Sequence, residues 1–568
     1  MPELILGLHA GINATAAIGD AAGIRHCVQE ERLTGEKGYM GFPARAIAAC
    51  LNEAGAGPDD IAVVACGSRF GYAGYCSRDD LTRRLRSFHR PAGLPGRILD
   101  EWRAARQRQA SMRDQLAPHL RRAGLGAVPL TCYDHHAAHG AAAYYGLRAD
   151  PATPYLVLTC DGFGDGACAT VAVWQDGQRR ELARTGMQNS AGLLYFWTTQ
   201  AAGFRPHEDE YKLMGMAPYA SAHRAAQIAS TYRRYLGLDD TGLRFRRQTR
   251  LSVELSWPRL AAELRGLRFD DLFGGLQLFT EDLLTRWAES AVRASGVSRV
   301  LAGGGVFTNV KASQRIAASP SVGQFEAFPS CGDESLALGA YYLAAAGRYG
   351  QATVPRLAHC YLGDDITPAD ARTALTGTPF AVEEPADLPA AVAGLLAGGQ
   401  VVARCAGRME FGARALGNRS ILADPGNAGL PRLLNQAIKR RDFWMPFAPA
   451  MLASRQHRYI RNPRELPSPY MMMAFDADPD TAGQFIAAVH GGDLTCRAQL
   501  VPDSPGCGLR DILRAWEART GKAVLLNTSL NLHGEPIART ASDALRVFSE
   551  SGLQHLQLGP YLVHKKSG

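Results

Sequence analysis

Short apolar runs at residues 4–8, 61–66, 155–160 and 299–302 alternate with stretches of helical periodicity, such as 44–54 and 311–318. That alternation predicts an α/β fold for the front of the chain. The periodicity fades over 347–367, where Tyr349-Gly-Gln-Ala-Thr-Val-Pro355 and Tyr361-Leu-Gly-Asp-Asp365 read as a connection. Beyond it, a helix and strand around 388–405 and strand-like segments at 523–526 and 556–564 predict a second, α+β unit. The expected division is therefore a domain over 1–347, a linker over 348–367 and a domain over 368–568. The opening Pro2-Glu-Leu-Ile-Leu-Gly-Leu-His9 reads as a buried strand rather than a leader. The stretch 388–406 is interrupted by three Gly, Gln400 and Arg404, so it reads as an amphipathic helix and a strand, not a membrane span. A cytoplasmic protein without a membrane partner is expected.

Composition narrows the classes. At 568 residues the chain is several times the roughly 150-residue domain size, and 46% apolar content suits globular cores. Its twelve cysteines contain no CxxC pair, which argues against zinc ribbons, thioredoxin-type redox chemistry and a disulfide scaffold. The net charge of +8 gathers partly between Arg83 and Arg122. No aromatic interleaving or recognition motif accompanies that charge. A solvated helical insertion or an oligomer contact, such as that of a homodimer, is therefore favoured over a nucleic-acid surface.

The candidate chemistry begins at Asp134-His-His-Ala-Ala-His139. A spacing of four residues puts His135 and His139 on one helical face, Asp134 can cap the helix, and His136 points elsewhere. Asp161-Gly-Phe-Gly-Asp165-Gly follows a strand and offers two carboxylates in a turn that is equally a hairpin signal. Gly303-Gly-Gly-Val-Phe-Thr-Asn309 leaves a strand and enters a helix, where α/β folds receive nucleotides. Asp333 and Glu334 stand at a helix start, and capping is their plainer reading. Two imidazoles with one or two of these aspartates make a mixed donor set that suits ferrous iron or zinc better than magnesium. In the second unit, Arg414, Arg419 and Ser420 lie in glycine-rich apolar sequence. Lys439, Arg497, Ser529 and Asn531 stand in further polar turns. Buried cations need a standing partner, and a phosphate clamp is the favoured reading.

Taken together, these motifs resemble the ATP-dependent O-carbamoyltransferase family along nearly the whole chain. The residues that carry the resemblance are Glu30 to Lys37, Asp134 to His139, Asp161 to Asp165, Glu210-Tyr-Lys-Leu-Met-Gly-Met-Ala-Pro-Tyr219, Gly303 to Asn309, Gly332 to Glu334, Gly407 to Ser420 and Asn527 to Pro536. The resemblance implies an N-terminal domain with the actin and sugar-kinase core, like the metalloprotein of tRNA threonylcarbamoylation, and a C-terminal YrdC-like domain. It further implies that the second domain takes carbamoyl phosphate and ATP, the latter as its magnesium complex, and makes carbamoyl adenylate. The first domain would then pass the carbamoyl group to a hydroxylated small-molecule acceptor. Carried over by position, His135, His139, Asp161 and Asp333 look like ferrous iron ligands, and Lys37 matches a lysine of the transfer site. Arg414, Arg419, Lys439, Arg497, Ser529 and Asn531 look like the carbamoyl phosphate and ATP clamp. Gly303, Gly304, Gly305, Asn309 and Lys212 look like the adenylate site of the first domain.

Two positions depart from the family pattern. Many members carry histidine in a Gly-His-Asp/Asn-Ala-Ser run, where this chain reads Gly11-Ile12-Asn13-Ala-Thr15. His9, with Asn13 beside it, is then the candidate for the proton-transfer role, together with a metal-oriented group near His135. Many members also have arginine before Pro-Phe-Ala-Pro, where this chain has Met445; Arg440 or Arg441 would supply that charge. Rival readings are a threonylcarbamoyl-type or hydrogenase-maturation enzyme using the same adenylate chemistry, and a catalytically silent nucleotide-binding regulator. The hydrogenase class calls for paired CxxC motifs, which the chain lacks.

Overall fold

The computed structural model describes residues 3–71, 110–439, 442–503 and 508–566. The arginines from Arg83 to Arg108 and the pair Arg440 and Arg441 lie outside the described residues. The chain divides into two compact units: Met1–Thr34 with Gly38–His359, and Cys360–Gly568 with Gly35–Lys37.

The first unit carries two five-stranded sheets. Strands β1 (Leu4–His9), β2 (Thr15–Asp20), β3 (Gly23–Gln29), β4 (Ile61–Cys66) and β5 (Leu130–Cys132) form one, in the order β3-β2-β1-β4-β5. Pairing is antiparallel from β3 to β1 and parallel from β1 through β4 to β5. Helix α1 (His135–Leu147) then leads to the second sheet, of β6 (Tyr155–Gly164), β7 (Ala167–Gln175), β8 (Gln178–Gly186), β9 (Arg299–Gly303) and β10 (Gln324–Ala327). Its order, β8-β7-β6-β9-β10, repeats the first sheet with the same directions. A meander followed by two parallel strands, twice over in one unit, is the arrangement that the actin and sugar-kinase core calls for. Helices α2 (Phe269–Ser295), α3 (Val310–Ala318) and α4 (Ser335–Tyr349) complete the part of the unit that concerns the site.

Burial explains the sequence pattern. β1 and the first six residues of β6 are wholly buried, so both read as unbroken apolar runs rather than alternating ones. Helix α1 buries twelve of its thirteen residues, and its alanines and glycines let neighbours close on every side. A Cβ on Gly339 of α4 would stand 2.0 Å from the Ala138 carbonyl oxygen, so glycine is what allows α4 to lie directly against α1.

The second unit is organised around an eight-stranded mixed sheet. Its strands are β11 (Ala381–Glu383), β12 (Val402–Cys405), β13 (Arg419–Ala423), β14 (Ala448–Leu452), β15 (Gln499–Val501), β16 (Val524–Ser529), β17 (His555–Leu558) and β18 (Tyr561–His564). They lie in the order β11-β18-β17-β12-β13-β16-β14-β15. The segment 556–564, expected as one strand, is a hairpin of β17 and β18, reversed where Gly559 takes a left-handed φ of 54°. Among the described residues no helix is long and apolar enough to cross a membrane. Nine of the ten described cysteines are buried.

Candidate metal centre and cation-bearing loops

Four predicted residues converge in the first unit. Helix α1 starts at Asp134, whose carboxylate accepts the Ala137 amide at 2.9 Å, and the next turns project His135 and His139. Asp161 comes from β6 where that strand leaves the buried sheet, and Asp333 from the loop before α4. The Nε2 of His139 lies 3.0 Å from Asp161 Oδ2, 3.1 Å from His135 Nε2 and 3.6 Å from Asp333 Oδ1. His135 Nε2 is 3.5 Å from Asp161 and 3.8 Å from Asp333. One ligand atom from each of the four residues falls within 4.8 Å of all the others.

Both imidazoles are fixed from behind. His139 Nδ1 meets the Ser335 hydroxyl at 3.0 Å and His135 Nδ1 meets the Ser68 hydroxyl at 3.2 Å, so the two Nε2 atoms are the ones turned to the carboxylates. Burial alone would lower the His139 pKa, but the hydrogen bond to Asp161 and the nearby Asp333 carboxylate outweigh that and raise it to about 9. Asp161 is disfavoured by burial yet held well below the usual carboxylate range by the two histidines. Two nitrogens and two carboxylates aimed at one point are a donor set that fits a divalent cation in place of that proton.

The neighbouring residues sort differently. His136, wholly buried, bonds Thr159 Oγ1 at 2.8 Å and takes no part in the cluster; burial lowers its pKa to about 3. Asp165 turns away from the cluster toward backbone amides. Capping was the plainer reading of Asp333 and Glu334, and the structure corrects it: the α4 N-terminus has no side-chain cap. Asp333 faces the histidines, while Glu334 accepts from Asn13 Nδ2 at 3.2 Å and from the Ser330 hydroxyl. Asn13 holds this position with a φ of 57°.

His9 sits 3.6 Å from Asp333 Oδ2, and its Nε2 is 3.1 Å from the Ile12 carbonyl oxygen. A carbonyl only accepts, so the proton belongs on Nε2 and the basic lone pair on Nδ1, a buried atom with no hydrogen-bond partner among the described residues. Burial also lowers its pKa to about 4. This arrangement withholds the His9 lone pair from an outside hydroxyl. Lys37 is exposed, in the turn after Glu31–Thr34.

The glycine turn after β9 packs against the strand that bears Asp161. A Cβ on Gly304, whose φ is 93°, would stand 2.4 Å from the Cys160 carbonyl oxygen, and one on Gly303 2.9 Å from that of His139. Gly305 faces Asp161 Oδ1 at 3.2 Å in the same sense. Asn309 caps α3 through Ala312 and exchanges a reciprocal pair of 2.9 Å amide bonds with Gln277 of α2. Its side-chain oxygen is thus committed within the fold. Lys212 lies 3.3 Å from Asp209 and over the Phe204 ring.

In the second unit Lys439, Ser529 and Asn531 come together. Lys439, 2% exposed, donates to the Ser529 carbonyl, to Ser529 Oγ at 3.2 Å and to Asn531 Oδ1 at 2.8 Å, and Ser529 Oγ donates to Asn531 Oδ1 at 2.6 Å. Arg414 and Arg497 are half-buried on loops that one amide pair connects. Asn527 Nδ2 donates to the Ala415 carbonyl and to Gln499 Oε1, while Gln499 donates to the Leu416 carbonyl. Glu410 accepts the amides of Leu416, Asn418 and Arg419. Sequence reasoning missed Glu410; a carboxylate six residues before a Leu-Gly-Asn turn was the available signal.

Arg419 corrects its expected role. Fully buried, its guanidinium donates to the carbonyls of Arg539, Ala406, Gly407, Asn418 and Asp364. The standing partner of this buried cation is backbone, not phosphate.

Comparison with known proteins agrees with the layout. Residues 108–342 match the family profile Carbamoyltransferase N-terminus, and residues 393–565 match Carbamoyltransferase C-terminus. An uncharacterized protein of Synechocystis is 30% identical, with 99% of this chain and 96% of that protein covered. Nodulation protein NolO of Bradyrhizobium diazoefficiens is 30% identical, with 76% and 79% covered. The 3'-hydroxymethylcephem-O-carbamoyltransferase of Amycolatopsis lactamdurans is 35% identical over 31% of this chain and 33% of its own length. With both halves matched in order and relatives aligned over most of its length, the chain belongs to the carbamoyltransferase family, a family of transferases that act with a carbamoyl donor.

Proposed function

We propose that this protein is an ATP-dependent O-carbamoyltransferase acting on a hydroxyl of a small natural product or saccharide. The observation that carries the reading is the convergence of His135, His139, Asp161 and Asp333 within one family-matched domain. The cephem O-carbamoyltransferase relative supports a hydroxyl as the acceptor group.

The second unit, on this reading, is YrdC-like and makes the activated donor. Water hydrolyses carbamoyl phosphate to carbamate and phosphate; a carbamate oxygen then attacks the α-phosphorus of ATP, so that carbamoyl adenylate forms and pyrophosphate leaves. Lys439, Ser529 and Asn531, pre-bonded to one another, present a fixed cation and hydroxyl, and Arg414 and Arg497 add charge for the separating phosphates. In the first unit the acceptor hydroxyl attacks the carbamoyl carbon and gives up its proton to solvent, the C–O bond to the phosphate breaks, and AMP leaves. His135, His139, Asp161 and Asp333 would hold ferrous iron, with zinc as the alternative. Such a metal, when bound, would supply Lewis-acid polarisation of the group being transferred. Ser68 and Ser335 keep both imidazoles turned inward, and the Gly303–Gly305 turn keeps Asp161 close, so the ligand atoms need no rearrangement.

The test is incubation of the protein with carbamoyl phosphate, MgATP and a panel of hydroxylated metabolites and saccharides. Formation of AMP, pyrophosphate and a carbamate ester of one acceptor supports the reading. Absence of pyrophosphate exchange into ATP in the presence of carbamoyl phosphate contradicts it.

A further inference from the structure

The Asp161-Gly-Phe-Gly-Asp165 turn carries two carboxylates with different tasks. Asp161 faces the histidines, whereas Asp165, at a left-handed φ of 48°, turns its carboxylate onto three backbone amides from two other segments. It accepts the His135 amide at 2.8 Å, the Arg69 amide at 3.0 Å and the Phe70 amide at 2.9 Å. These amides are not arbitrary ones. His135 is both the first residue of α1 and a member of the cluster, and its N–H is one of the orphan donors of a helix start. Arg69 follows Ser68, whose hydroxyl holds His135 Nδ1. One carboxylate therefore fixes the backbone of a cluster residue and the backbone that carries that residue's side-chain partner, from the same turn that delivers Asp161.

We infer that Asp165 is a positioning residue of the metal centre, setting His135 against Asp161 by holding the α1 N-terminus and the Ser68–Phe70 segment to the β6–β7 turn. Asp134 does not duplicate this role. It caps the same helix through Ala137 and is itself gripped by Arg184 through two 3.1 Å bonds, so it steadies the helix start without reaching residues 68–70. The inference rests on the reading of the four-residue cluster as a metal site.

The experiment compares the full chain with Asp165→Ala, Asp165→Asn and Ser68→Ala, titrating each with Co²⁺, whose visible spectrum reports ligand number and geometry. Wild type should take up one equivalent. Asp165→Ala should bind about 10- to 100-fold more weakly with an altered spectrum, and Asp165→Asn, which keeps one acceptor oxygen, should fall between. Ser68→Ala should weaken binding less, and in the double variant Ser68→Ala with Asp165→Asn its effect should not add to that of Asp165→Asn, because both act through His135. Pyrophosphate exchange should be unchanged in every variant. Should Asp165→Ala fail to fold, Asp165→Asn and Ser68→Ala carry the comparison. Wild-type Co²⁺ affinity and spectrum in the Asp165 variants would overturn the inference alone. A wild-type chain that takes up no Co²⁺ would overturn it together with the metal reading.

Discussion

Arg419 opens strand β13 and Lys439 ends the helical segment Asn435–Lys439; both are buried cations, yet the structure gives them different surroundings. Arg419 spreads its donors over five carbonyls of its own domain, whereas Lys439 meets a serine and an asparagine side chain. Arg419→Met should therefore destabilise the protein by about 3–5 kcal/mol, the scale of removing a buried charged partner. Urea denaturation measures that loss, and the KM for ATP of the folded fraction should stay unchanged. A stable Arg419→Met enzyme with a raised KM would place the guanidinium on substrate instead. The sequence argument that a buried guanidinium needs a partner was sound, but composition does not distinguish a phosphate from a carbonyl. For the histidines the four-residue spacing places both rings on one helical face, but by itself it does not tell a metal pair from two packed imidazoles. Asp333 was ambiguous for the opposite reason: a carboxylate at a helix start has a local use that its neighbours in space override.

Element by element, the strand at 155–160 was legible because all six of its residues are buried and leave an unbroken apolar run, and the mostly buried strand at 61–66 reads the same way. The helix at 44–54 was legible because it buries one face, at Ala46, Ile47 and Cys50, and so keeps a clean periodicity. The hairpin at Gly559 was not, because its four-residue strands are too short to alternate visibly. The β9 turn shows an element placing a site. Gly304→Ala would force a Cβ into the Cys160 carbonyl at a backbone angle that side chains resist, one residue before Asp161. It should cost about 2–3 kcal/mol in thermal or urea unfolding and weaken metal uptake, whereas an unperturbed midpoint would mean that the turn can slide off β6. In the β17–β18 hairpin, His555 and His564 stand 2.8 Å apart, and burial with the nearby His564 lowers the His555 pKa. The folded state thus favours neutral His555. Its contribution is intact above pH 6.5, the unfolded value, and is lost as the pH falls below it, since the unfolded chain then binds a proton that the fold resists. Wild type should lose more thermal stability between pH 7.5 and 5.5 than His555→Gln; equal losses would show that the pair is not pH-sensitive.

At the scale of the whole molecule, the proposed function gives the two units separate chemistries and so predicts separable activities. Adenylate formation would rest on Lys439, Ser529, Asn531, Arg414 and Arg497 of the second unit, and metal would serve only the transfer step. Stripping the protein with a chelator, removing the chelator and assaying with fresh MgATP should then abolish carbamate ester formation and leave carbamoyl phosphate-dependent pyrophosphate exchange intact; loss of both, restored by iron or zinc, would tie adenylation to the same metal. The two units part at His359 and Cys360, a point where the periodicity of the sequence has faded, while the placing of Gly35–Lys37 with the second unit has no local sequence signal. The identity of the acceptor is not written in any motif, since acceptor pockets come from variable loops. The most direct measurement is the metal content of protein purified without oxygen, wild type against His139→Ala, by elemental analysis. The account predicts one iron or zinc per wild-type chain and none in the variant, with pyrophosphate exchange retained in both. Equal metal in the two proteins, or none in wild type, would contradict it.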